Sequence, residues 1–128
     1  MERAAYFKTL FFIGALWNWV AVLTFAFGYR LLFPLFAMEL PRYPVFLMLF
    51  LGLAFVFGFG YYWVSRDISK NHDIVRLGVI GKLVVFVGFF WAALTGQIAW
   101  LLVGAGIVDL IFAILFIEFL ISYRKAAA

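Results

Sequence analysis

Four apolar runs of about twenty residues each constrain this chain more than any other feature. They lie at about 9–29, 45–64, 74–94 and 98–121. A helix needs about 20 apolar residues to cross a hydrocarbon core of about 30 Å. The 128 residues are 69% hydrophobic and only 12% charged, against about a quarter charged in soluble domains. A chain this short leaves much of its surface exposed, so the expected solvent is lipid. The expected fold class is all-α: an integral membrane four-helix transmembrane bundle, forming a single domain over 1–128.

The segments between the runs are short. Residues 1–8 form a basic head, and the first span is expected to be retained rather than cleaved as a signal peptide. Ala26-Phe27-Gly28 makes a poor cleavage site, and the apolar stretch is too long for a signal. Residues 30–44 are apolar but interrupted by Pro34, Pro41 and Pro44. Proline removes a helical hydrogen bond and clashes with the preceding turn, so this piece reads as a short interfacial segment holding at most one helical turn. Residues 65–73, SRDISKNHD, are the polar stretch. Asn71 or Asp73 is expected to cap the third helix by accepting from its free N–H groups. Thr95-Gly96-Gln97 makes a tight, uncharged break between spans three and four. The three C-terminal alanines read equally as native sequence or as a cloning scar.

Orientation follows from counting cations. With the N-terminus inside, the inner side holds Arg3, Lys8, Arg66, Lys70, Arg76, Arg124 and Lys125, and the outer side holds Arg30 and Arg42. That bias puts both termini in the cytoplasm. The location expected is the bacterial cytoplasmic (inner) membrane. Trp91 and Trp100 would flank the outer turn, and Tyr123 would mark the inner end of span four.

Two charges lie deep inside spans: Lys82 in the third and Asp109 in the fourth. Each alone costs about 2.5–3.5 kcal/mol at a helix centre. Folding the hairpin at Gly96–Gln97 brings their depths within about one turn of each other, which makes them expected ion-pair partners. Small residues share their faces: Ala105 and Ala113 beside Asp109, and Gly78, Gly81 and Gly88 on the broad side of Lys82. Small residues let helix backbones approach closely. Asn18, four residues after Gly14, falls at comparable depth in span one. Asn18, Lys82 and Asp109 are thus the candidate intramembrane polar cluster. On the structural reading they satisfy one another. On the functional reading they form a proton, ion or small-solute site, since intramembrane ionisable groups often mark one.

Arg76 and Glu118 are secondary charged positions. Glu118 is nine residues from Asp109 and so points to the opposite side of an ideal helix, while Arg76 is about 120° around from Lys82. Glu118 is expected to snorkel or pair locally, with Arg76 or Lys8 as candidate partners. Trp17 and Trp19 flank Asn18 at mid-depth and are possible ligand-lining residues, although such rings more often pack against a neighbouring helix.

Other chemistries find little support. The chain has no cysteine, which removes disulfides, thiolate metal sites and iron–sulfur clusters. His72, Asp73 and Asp67 fall short of a defined ligand set, so no metal and no cofactor is expected. Gly58-Phe59-Gly60 and Gly104-Ala105-Gly106 lie inside spans and are not phosphate loops. No catalytic residue is identified, and an enzyme ranks last among the readings. Arg76-Leu77-Gly78 followed by Gly81-Lys82 resembles the Arg…Gly…Lys pattern near the start of DoxX-like four-span bacterial proteins. Here the pattern falls in the third span and covers about one helix. The resemblance implies a four-span architecture, and no activity or site residue is taken from it.

The function expected is that of a small, non-enzymatic inner-membrane protein, an accessory or self-associating subunit. Its partners would be membrane lipid, further copies of itself or a larger membrane complex, and no nucleic acid. A small oligomeric carrier or channel is the alternative, and a binder of lipid or apolar ligand is a further one.

Overall fold

The computed structural model describes the backbone of residues 2–127 and the side chains of 3–124. Ala128 lies outside the described residues, as do the side chains of Lys125 and the other C-terminal alanines. Four helices make up the described chain: α1 (Glu2–Leu35), α2 (Pro44–Arg66), α3 (His72–Leu94) and α4 (Trp100–Ala127). Each is long and apolar enough to cross a membrane. The fold class is therefore the expected one, all-α with four membrane-length helices. α1 packs on α2 and α3 on α4, giving two compact units, Met1–Ile68 and Ser69–Ala128.

The first unit departs from expectation at its connection. Residues 30–35 continue α1 instead of forming a separate interfacial piece. Pro34 is accommodated because it sits in the last turn, where the missing N–H costs one hydrogen bond and no following turn depends on it. At about 1.5 Å per residue the 34 residues of α1 span about 51 Å, well beyond the hydrocarbon thickness. The helix then closes on itself: Met38 N–H donates to the Phe33 carbonyl at 2.8 Å and Ala37 N–H to that of Pro34 at 3.0 Å. This is a Schellman pattern, in which the residue after the cap adopts the left-handed conformation. Ala37 holds it with φ 55°. Pro44 opens α2 at a position where its missing N–H leaves no bond unmade.

The second unit uses the same closure with a better-suited residue. Gln97 N–H donates to the Ala92 carbonyl at 2.8 Å and Gly96 N–H to that of Ala93 at 3.1 Å. Gly96 takes the left-handed position, φ 77°, without a Cβ penalty. Helix α4 starts at Trp100, two residues later than expected, and runs past residue 121. The expected cap at α3 is corrected. Asn71 holds the N-cap position in a left-handed conformation, φ 65°, and makes no side-chain cap hydrogen bond. Its carbonyl accepts from Ile74 N–H at 3.0 Å. Asp73 lies inside the first turn and bonds Arg76 instead.

Candidate functional site

The second unit holds the ion pair. Lys82 Nζ donates to Asp109 Oδ1 at 2.8 Å, with side-chain exposures of 5% and 16%. The turn at 95–99 sets the register that brings them level. The Lys82 ammonium also lies 5.1 Å from the centroid of the Phe112 ring. A cation over an aromatic face gains about 2 kcal/mol or more when desolvated. Phe112 is buried and sits one turn after Asp109, so one stretch of α4 supplies both the counter-charge and the ring. Among the described residues, every buried side-chain nitrogen or oxygen has a hydrogen-bond partner.

The small residues around the pair divide. Gly78 and Ala113 are buried, as a packed face requires. Gly81 and Gly88 do not serve close approach, because a Cβ on either would meet nothing within 4 Å. Gly106 does face the other helix: its Cβ would lie 3.6 Å from the Phe86 Cα and 3.5 Å from the Phe89 ring. An added Cβ there would be in ordinary van der Waals contact with both backbone and rings of α3, so the Phe86 backbone itself comes close to α4 at Gly106.

Asn18 belongs to the first unit. It is buried, and its Nδ2 donates to the Ala54 carbonyl on α2 at 2.8 Å. The next residue repeats the move: Trp19 Nε1 donates to the Phe55 carbonyl at 3.3 Å. The indole sits on Gly58, where an added Cβ would lie 2.6 Å from its Cδ1 and closer still to Nε1. Phe59 meets the same ring edge-on at 5.2 Å. Trp19 is thus seated against α2 of its own hairpin, and Trp17 is half-buried.

The secondary charges lie elsewhere. Arg76 pairs with Asp73 at 2.7 Å, both largely exposed at 60% and 92%. Exposed pairs of this kind contribute about 0–1 kcal/mol. Glu118 is half-buried. His72 is the first residue of α3, and its ring packs edge-on against Tyr123 at 4.6 Å and Phe119 at 5.3 Å. Among the described residues no group of three or more His, Asp and Glu side chains is arranged to hold a metal.

Phe112, Gly58 and the carbonyls of Ala54 and Phe55 were missed from sequence. Phe112 carried a usable signal, its one-turn spacing from Asp109. The carbonyls carried none, since every residue has one.

The chain matches no family model, no curated protein and no solved structure. The one-helix likeness to DoxX-like proteins therefore gains no support.

Proposed function

We propose that this small integral membrane protein is non-enzymatic and works by association, as an accessory subunit of a membrane assembly or a self-associated unit. The observation that carries this reading is how little of each span the chain covers for itself. In the most apolar stretch of each helix, between 17% and 33% is buried. Many of the other residues are exposed and would face lipid or other protein, and helix–helix contact in membranes rests on packing against such faces. The closed ion pair fits the same reading, because Lys82 and Asp109 already satisfy one another. Mild-detergent purification from native membranes, followed by mass determination of the intact particle, tests it. A stoichiometric partner or a defined oligomer is expected; a protein that remains monomeric and alone across mild detergents contradicts it.

The orientation proposed puts both termini in the cytoplasm of a bacterium, supported by the bias of Arg and Lys toward the ends of α1, α3 and α4 that would lie inside. Reporter fusions at residues 37 and 97 should read periplasmic.

The Lys82–Asp109 pair also favours a second reading, a small oligomeric carrier or channel. A proton passing from Nζ to Oδ1 would neutralise both groups, and intramembrane ionisable residues commonly serve such relays. Proton flux in vesicles that is lost in a stably folded Asp109→Asn variant would establish it over the association reading. A binder of lipid or apolar ligand at Trp17 and Trp19 is less supported, because Trp19 is engaged within its hairpin.

A further inference from the structure

The exposed face of α3 has a cation at one end and an apolar stripe beyond it. Arg76, Ile80, Leu83 and Val87 fall within about 60° of one another around the helix, at about 100° per residue. All are exposed: the Arg76 side chain by 60%, Ile80 by 59%, Leu83 by 37% and Val87 by 62%. From Arg76 to Val87 the helix rises about 17 Å, close to one leaflet of a core about 30 Å thick. Asp73 holds the Arg76 guanidinium through one nitrogen at 2.7 Å, and a guanidinium offers five N–H donors. The His72–Tyr123 contact at 4.6 Å ties the start of α3 to the end of α4. Arg124 follows Tyr123, is exposed, and so lies at the same end as Arg76. Lys70 and Lys125 add to the positive charge there in sequence, against the carboxylates of Asp73 and Glu118. The other end of this unit, Thr95-Gly96-Gln97-Ile98-Ala99, has no charge.

We propose that this face binds an anionic phospholipid, its phosphate held by Arg76 and Arg124 and an acyl chain lying along Ile80, Leu83 and Val87. Charge complementarity selects the headgroup, and the length of the stripe suits a chain confined to one leaflet. The site is independent of what else the protein associates with.

The test uses the full chain purified in mild detergent with equal amounts of phosphatidylglycerol and phosphatidylcholine carrying the same acyl chains. Retained lipid is quantified after washing. Phosphatidylglycerol should be retained preferentially, and R76Q and R124Q should each lower that preference about fivefold. R30Q and R42Q, in the first unit, should leave it unchanged. A wash at about 1 M salt, where the Debye length falls to about 3 Å, should erase the preference in the unaltered protein, so the answer does not depend on any variant folding. Equal retention of the two lipids, or a preference that survives the R76Q/R124Q double substitution or the high-salt wash, overturns the proposal. Equal retention would also leave the face to a protein partner.

Discussion

The two hairpins solve one problem with different chemistry. Each buries polar side chains between helices that cross lipid. The first uses neutral donors: Asn18 and Trp19 reach successive carbonyls, Ala54 and Phe55, on α2. The second uses opposite charges, Lys82 and Asp109, with the Phe112 ring beside the ammonium. Removing a neutral donor leaves behind only a helix backbone carbonyl, so the loss is little more than the bond itself. A buried charge that loses its partner costs its full desolvation. The first hairpin should therefore tolerate single changes that the second does not, although its connection is the longer and less regular one.

The largest expected effect is in the second hairpin. Asp109→Leu removes the Asp109 carboxylate from the Lys82 ammonium, whose side chain is 5% exposed, and should lower stability by about 3 kcal/mol. Thermal unfolding in a mild detergent, followed by size-exclusion chromatography, reads this. Next is the Trp19 seat. Gly58→Ala places a Cβ against a rigid indole, which should cost about 1–3 kcal/mol and shift the tryptophan fluorescence. Gly52→Ala and Gly88→Ala make the contrast, since neither Cβ meets anything within 4 Å. Both should be neutral or slightly stabilising, and an equal loss at all three positions would show that the seat is not what matters at Gly58.

Smaller effects compare the two helix closures. Ala37 occupies a left-handed position that Gly96 fills in the second hairpin. Ala37→Gly should stabilise by about 1 kcal/mol and Gly96→Ala destabilise by a similar amount. The same sign for both substitutions would break the parallel. Smallest is Asn18→Ala, which removes one hydrogen bond within the membrane and should cost about 0.6 kcal/mol. A cost matching that of Asp109→Leu would erase the distinction between the hairpins.

What could be read from sequence followed from local pattern and equal spacing. The number of helices came from uninterrupted apolar runs, and the Lys82–Asp109 pair from nearly equal distances to a turn only a few residues long. The first hairpin gave no such handle. Three prolines fall within residues 30–44, so the register that seats Trp19 on Gly58 could not be counted. Pro34 also misled, because a proline in a final turn ends a helix only after the turn is complete. The caps at α3 failed for a related reason. Asn71 suits both capping and the left-handed conformation, and the structure uses the second property. Glycine position was a weak guide as well: Gly81 and Gly88 are open, whereas Gly106 meets the Phe86 backbone.

Lys82 and Asp109 hold the second hairpin together as an ion pair. A double-mutant cycle on Lys82→Met and Asp109→Leu, with stability measured in bilayer-like discs, tests it most directly. Asp109→Leu should be strongly destabilising and adding Lys82→Met should recover most of the loss, with a coupling of about 2 kcal/mol or more and an unchanged oligomeric state. Additive losses with no recovery, or single variants as stable as the unaltered protein, would contradict it and turn attention to the pair as a working proton or ion site.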